Sequence, residues 1–348
     1  MDNLYLDGKP GRTCTVNGQE FLFFSGYNYL GINEDAEFNA LIAAGAAKYG
    51  WVFPSSRISN TRLAVYEECE ALLSSITNTE DTVLLPSGYA AGRMATSYFH
   101  TAVHNAPGSH PAILQHRSGD IDFQEWTEWL VNAYVPKGKA DPLVLAADAV
   151  SPLRATVTDF SFLEQLPGAT VMVIDDSHGI GLLGENGRGA SSALPVNAGI
   201  EYLLTYSLAK AFGISGGAVS CSSARARYFR SLPEYTGVTP VSPAQVYAFV
   251  NGQHIYQRKR EKLAVNMAYF RSCIKDLPGI RYTEGLPVFI LPRAVNEADF
   301  YRQGILISSF SYPDPAGQKL NRIVINALHT KNDLDKLAGI IRGLPAFR

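Results

Sequence analysis

The residues best suited to chemistry lie just after short apolar runs. After VMVI come Asp175, Asp176, Ser177 and His178. Two acids and a histidine at the end of a buried strand are costly unless they are paired or used. A solvated loop with a satisfied histidine is the competing reading. After YLLTYS comes Leu208-Ala209-Lys210-Ala211-Phe212-Gly213. A lone lysine among small and apolar neighbours is a candidate for desolvation. Desolvation lowers a lysine's pKa and would make this amine a candidate nucleophile for Schiff-base chemistry. A surface lysine in a loop is the bland alternative. After TVLLP comes Ser87-Gly88-Tyr89, entering a helical pattern. Backbone N–H groups at a helix start, with a glycine that lets an anion approach, cradle phosphate. A plain strand-to-helix turn fits the same residues.

Other chemistries fit less well. Residues 179–184, GIGLLG, match the dinucleotide pattern G-x-G-x-x-G. However, DDSH separates strand from glycines, ENGRGASS reads as more loop, and the only acid at the expected distance, Glu201, precedes its strand. His100 and His104 stand four apart, but no acid follows the first as a zinc-protease helix requires. No serine sits in a G-x-S-x-G elbow. Cys14, Cys69, Cys221 and Cys273 have neither metal-ligand nor redox spacing.

These residues need a scaffold, and the chain offers one. TVLLP, PAILQ, PLVLAAD, ATVMVIDD, YLLTYS and GGAVSCS read as strands that are apolar throughout. They alternate with helical patterns such as LAVYEECEALLSSIT, AAGRMATSYF and DFQEWTEWLVNAY. That alternation predicts an α/β fold with a mostly parallel sheet covered on both faces. Ligands then collect at the carboxyl ends of the strands. From Ala244 a long helical stretch runs to DL at 276–277. GLPVFILP, GILISSF and RIVINAL then read as strands of a smaller sheet, closed by the helix KNDLDKLAGIIRGL. The expected organisation is an N-terminal segment (1–38), a large α/β domain (39–250) and a small C-terminal α+β domain (251–348).

Composition bounds the class. The 348 residues are 46% hydrophobic and 18% charged, which allows a sizeable core. Thirty Lys plus Arg against 32 Asp plus Glu leave a net charge of −2, which argues against a dedicated nucleic-acid binder. No apolar run reaches the ~18 residues of a membrane span. The polar start MDNLYLDGKPGR lacks a signal's apolar core, so a cytoplasmic enzyme is the expectation.

In order along the chain stand NYLG, the pair Ser56-Arg57 before a helix, SGY, DDSHGIGLLGENGRG, SLAKAFGISGGAV and RIVINALHTKNDLDKL. This series resembles the α-oxoamine synthases, fold-type I pyridoxal-phosphate enzymes that include 8-amino-7-oxononanoate synthase and serine palmitoyltransferase. The resemblance covers about residues 20–345. It implies that Lys210 holds the cofactor as a Schiff base and moves protons at the substrate α-carbon. Asp175 would pair with the pyridinium nitrogen and keep the ring an electron sink. His178 would hydrogen-bond the ring hydroxyl, with Ser151 assisting. His116 would stack on the ring. Ser207 would bind the phosphate together with the N–H groups of Gly88 and Tyr89. Arg322 would clamp a substrate carboxylate.

The same resemblance implies a homodimer that condenses an amino acid with an acyl-CoA thioester. An aminotransferase or lyase of the same fold is the alternative, and two more distant readings are a nicotinamide-dependent oxidoreductase using GIGLLG and a non-catalytic descendant. Several positions depart from the family pattern. Tyr27, a candidate substrate contact, replaces an asparagine ahead of x-Y-L-G. Tyr66 replaces a histidine, Gly92 an asparagine, and VFPSSRIS a glycine-rich loop. The cofactor residues are kept while substrate positions change, so the acyl donor or the acceptor is expected to differ. A pimeloyl donor would place the reaction in biotin biosynthesis.

Overall fold

The computed structural model describes residues 4–115, 121–132, 142–166, 169–196, 199–311, 317 and 319–347. In chain order it first forms β1 (Thr13–Val16), β2 (Gln19–Phe24), α1 (Ala36–Tyr49), α2 (Ala64–Thr77), β3 (Asp81–Leu85), α3 (Gly88–Ser97), β4 (Val103–Asn105) and α4 (Phe123–Asn132). Next come β5 (Leu143–Asp148), the two-residue strands β6 (Val150–Ser151) and β7 (Thr156–Val157), β8 (Thr170–Asp175), β9 (Ile200–Ser207) and β10 (Gly217–Cys221). The rest is α5 (Ser223–Arg230), α6 (Pro233–Thr236), α7 (Pro243–Asn251), α8 (Gln253–Ile274), β11 (Val288–Ile290), α9 (Glu297–Tyr301), β12 (Ile305–Phe310), β13 (Leu320–Val324) and α10 (Lys331–Gly343). The chain divides into two compact units. A central unit holds Phe38–Val150 and Val157–Gln253, and a terminal unit holds Met1–Glu37, Ser151–Thr156 and His254–Arg348.

The central unit is built on a six-stranded sheet in the order β3-β10-β9-β8-β5-β4. The β4, β5, β8 and β9 strands pair in parallel, whereas β10 runs antiparallel to both β9 and β3. Every residue of β8 is buried, as a strand covered on both faces requires. Val83, Val173, Leu203 and Val219 from the sheet pack with Met94 of α3 and Phe229 of α5. Truncating Leu203 to alanine would cost about 2–5 kcal/mol. α2 buries Val65, Cys69, Leu73 and Thr77, a four-residue spacing that keeps one face inward, and it stops at Asn78 in the left-handed conformation (φ 54°).

One buried ion network ties these elements together. Glu70 of α2 accepts the Leu84 N–H of β3 at 2.9 Å and lies 3.2 Å from both Arg57 and Arg230. Arg230 forks onto Asp81 at 2.7 and 2.8 Å. Burial pushes the Glu70 carboxyl up, and the two guanidinium groups pull against it. Arg57 also stacks over Tyr66, 4.4 Å from the ring centre. The Ser-Arg pair of the sequence is thus a structural lock on the chain that leads into α2 and β3.

The terminal unit carries a second sheet in the order β1-β2-β12-β13-β11. β1 and β2 form a hairpin turned by Asn17 and Gly18, both at positive φ (50° and 74°), the geometry an Asn-Gly turn supplies. β2 then pairs in parallel with β12. His329 is fully buried and stacks on Phe24 at 4.0 Å. Its Nδ1 accepts the Asn326 N–H at 3.0 Å, and its Nε2 donates to the Phe23 carbonyl at 3.1 Å. That hydrogen-bond pair requires the neutral ring, and burial lowers the imidazole to about 4.

Two local expectations fail. PAILQ is not a strand: the edge strand is VHN, 103–105, and Pro111 to Leu114 form a turn. Proline supplies no ladder N–H, and the Ile113 and Leu114 N–H groups bond back to the His110 carbonyl. The long helix after Ser242 is two helices, broken at Gly252 between α7 and α8. Gly252 packs against Phe38, which a Cβ there would approach to 3.2 Å.

Candidate active site

The parallel strands of the central unit end at one edge, and the chemically able residues lie there. β8 ends at Asp175, beside Thr205 of β9 and Asp148 of β5. Asp175 is 7% exposed, and its Oδ1 accepts the Ser177 N–H at 2.9 Å. The turn that follows delivers His178. Its Nε2 lies 2.9 Å from Nζ of Lys210, which the loop after β9 carries. The Ser177 hydroxyl accepts the Ser207 N–H at 3.0 Å, so the ends of β8 and β9 are tied to each other.

Next to this pair, α3 begins. Ser87 caps it by accepting the Ala90 N–H at 3.1 Å, which leaves Gly88 and Tyr89 in the first turn. Gly88 is required because the helix start abuts the end of β9. A Cβ there would stand 2.7 Å from the Ser207 Cβ. A helix N-terminus and a serine side chain thus share one edge, a standard anion site. Tyr89 is 58% exposed.

Sequence reasoning placed Lys210, His178, Asp175, Gly88, Tyr89 and Ser207 here, and the structure gathers them at this edge. His116 lies outside the described residues. A histidine that sequence reasoning missed lies at this edge: His110 Nδ1 sits 3.8 Å from Asp175 Oδ2. Its backbone N–H is held by both carboxylate oxygens of Asp148 at 3.1 Å. Burial lowers the His110 pKa, the Asp175 charge opposes that shift, and the Lys210 charge adds to it. The signal was in the sequence. Taking VHN rather than PAILQ as the strand makes His110 the first histidine past a strand end.

Ser151 is half-buried and belongs to the terminal unit, where its carbonyl accepts the Arg154 N–H at 3.3 Å. Arg322 and Tyr27 come together in that unit. The Arg322 guanidinium, only 1% exposed, lies 4.7 Å from the Tyr27 ring centre and 5.2 Å from that of Phe310. Both residues line a cavity of about 550 Å³ with Ser25, Ser308 and Ser309. The Arg322 Nε and the Ser309 hydroxyl are buried and have no hydrogen-bond partner.

Among the described residues there is no cluster of acids, histidines and cysteines that could hold a metal, and no helix long and apolar enough to cross a membrane. GIGLLG is followed by short 3-10 turns at Glu185–Gly187 and Gly189–Ser192 rather than by a helix opening on its glycines.

Comparison with known proteins bears on the whole chain. The family model for aminotransferase class I and II matches residues 122–341. The 8-amino-7-oxononanoate synthase of Buchnera aphidicola subsp. Baizongia pistaciae is 27% identical over 94% of this chain and 89% of its own. The biotin biosynthesis bifunctional protein BioWF of Corynebacterium kroppenstedtii is 28% identical over 98% of this chain, which spans 55% of that protein's length. Among solved structures, serine palmitoyltransferase from S. paucimobilis superposes with a TM-score of 0.82 at 18% identity, covering 98% of this chain and 91% of that one. The 8-amino-7-oxononanoate synthase from Francisella tularensis does so with a TM-score of 0.71 at 20% identity, covering 92% and 96%. The chain therefore belongs to the aminotransferase class I and II family, within its α-oxoamine synthase group, as a fold-type I transferase that uses pyridoxal phosphate.

Proposed function

We propose that this protein condenses an amino acid with an acyl-CoA thioester, in the manner of 8-amino-7-oxononanoate synthase. One observation carries the reading: a lysine amine 2.9 Å from an imidazole, at the same strand edge as a buried aspartate. The donor set fits pyridoxal phosphate. Lys210 offers the amine for its aldehyde, and Asp175 a carboxylate for its ring nitrogen. The start of α3 at Gly88 and Tyr89, with Ser207, offers N–H and hydroxyl groups for its phosphate. His178 serves the ring hydroxyl, and His110 takes the ring-face role that the resemblance gave to His116.

When bound, pyridoxal phosphate supplies the electron sink for the electron pair freed at the amino acid's α-carbon. The chain's own residues do the rest. Lys210, once displaced by the amino acid, carries the α-proton. His178 shares that proton through its 2.9 Å contact and fixes where the amine points. Asp175 sits where its charge is poorly screened, so it stabilises positive charge opposite it more strongly than an exposed acid would. Arg322 receives a substrate carboxylate, with Tyr27 and Phe310 on its flanks and its Nε as an available donor. A pimeloyl–alanine reaction would give a nine-carbon amino ketone, carbon dioxide and free thiol, and each is measurable. The reading includes a cytoplasmic homodimer, which sedimentation tests.

The experiment mixes holoenzyme with alanine, glycine or serine and a series of acyl-CoA thioesters. Release of free thiol that depends on both substrates is the expected result. Amino transfer to a keto acid without thiol release would replace this reading with an aminotransferase.

A further inference from the structure

The segment GIGLLGENGRGA was set aside as a dinucleotide site, yet its glycines have a use. Two of them enclose the side chain of Asp176. A Cβ on Gly179 would lie 2.1 Å from Asp176 Oδ1, and one on Gly189 only 1.9 Å from Oδ2. Nothing but glycine fits either place. Gly189 also stands at φ +68°, where a side chain is strained whatever the space. Around the carboxyl the loop closes on itself: Gly181 N–H bonds to Gly187 O at 2.8 Å, and Gly189 N–H to Leu183 O at 2.9 Å. Asp176 also anchors the loop by its backbone. Its N–H donates to Thr205 O of β9 at 2.8 Å, and its carbonyl accepts from Gly179 and Ile180 at 3.0 Å.

The carboxyl itself is poorly served. Asp176 is 1% exposed, its Oδ2 accepts one N–H, from Ala190 at 2.8 Å, and its Oδ1 has no partner. A buried carboxylate needs several donors or a cation, and one N–H is too little. We propose that Asp176 is a positioning residue whose uncharged carboxyl seats the 179–190 loop on the end of β8, fixing His178 beside Lys210 and leaving Asp175 the single negative charge of the pair.

Electrostatics agree with the geometry. Burial pushes the Asp176 carboxyl up to about 8, the neighbouring Asp175 charge adds to this, and the Ala190 N–H and Lys210 oppose it. The titratable groups of the surrounding elements are Asp175 and His178 on the same strand end, Tyr206 of β9 and Lys210 in the loop after it, Cys69 from α2, and Glu185 and Arg188 in the 179–190 loop. The inference rests on the proposed function only for the roles of His178 and Lys210. The loop's seating is independent of any acyl transfer.

The test compares wild-type and Asp176→Asn protein without substrate, over about pH 5 to 9.5, by thermal unfolding. The unfolded carboxyl ionises near its ordinary value, whereas the folded one keeps its proton to about 8. Rising pH therefore favours unfolding of the wild type until that point and then no further. The Asn variant lacks this slope, so its advantage in Tm should grow with pH and level off above about 8. A pH-independent difference overturns the proposal. Pyridoxal-phosphate affinity gives the second readout. Asp176→Asn keeps the Ala190 hydrogen bond and should stay within about threefold of wild type, while Asp176→Ala should lose about tenfold. Equal loss in both variants overturns it as well. Hydrogen exchange on the wild type alone completes the set. Protection of the Ala190 amide, corrected for intrinsic rate, should fall at least about tenfold between pH 7 and 9. Constant protection would contradict the neutral seat.

Discussion

Two regions of this molecule hold buried charge in opposite ways. At the strand edge of the central unit, Asp175 ends β8 and His178, Lys210 and His110 sit on loops past strand ends, each within reach of another polar group. In the terminal unit, Arg322 lies inside β13, fully buried between two aromatic rings, with its Nε unpartnered. The first arrangement lets a proton pass between neighbours, because amine and imidazole already touch. The second cannot pass a proton, since guanidinium does not titrate in proteins. It can only bind. A mostly parallel sheet favours the first by bringing several carboxyl ends to one edge. A mixed sheet with an inward arginine favours the second.

That contrast can be broken by substitution, starting with the largest effect. Lys210→Ala should lower turnover by about four orders of magnitude or more, and the absorbance band of bound cofactor should vanish. Retained turnover would remove the lysine from the chemistry. Asp175→Asn should cut kcat by about 10²–10³ while cofactor remains bound, since it takes away charge but little volume. An unchanged kcat would show that the carboxylate faces nothing that develops charge.

The terminal unit should respond in stability and binding instead. His329 is neutral in the fold and its pKa is depressed to about 4, so its contribution is complete above the ordinary histidine value and is lost as pH falls through about 4. Unfolding by urea should show roughly 2–3 kcal/mol lost between about pH 7 and pH 4.5 from this residue. His329→Gln should remove that part of the slope, and an identical slope in both proteins would refute the hydrogen-bond assignment. Arg322→Lys keeps the charge and loses the fork. It should raise the KM for one carboxylate substrate by about 10-fold and change kcat less. A fall in kcat at constant KM would place Arg322 with the proton-handling group and erase the comparison.

What could be read from sequence follows the same division. Lys210, Asp175, His178 and Ser207 were legible because each lies at or just past the end of a largely apolar strand, and strand ends are where open α/β sheets expose side chains. His110 was overlooked because an apolar pentapeptide, PAILQ, outweighed the three-residue strand VHN. Only the turn closed by the His110 carbonyl shows why proline wins there. Glu70 was invisible for a different reason. Its partners Arg57, Arg230 and Leu84 are 13 to 160 residues away, so no local pattern announces a buried network. The glycines of GIGLLG matched a known fingerprint while serving a neighbour, Asp176, that lies before them. A spacing pattern records that backbone comes close to something, but not to what.

The central claim is tested most directly by where the cofactor attaches. Holoenzyme would be reduced with borohydride and digested, and the labelled peptide sequenced. The account predicts one phosphopyridoxyl group, on Lys210 in SLAKAFGISGGAV. Label on any other lysine, or a wild-type protein that takes up no cofactor, would contradict it.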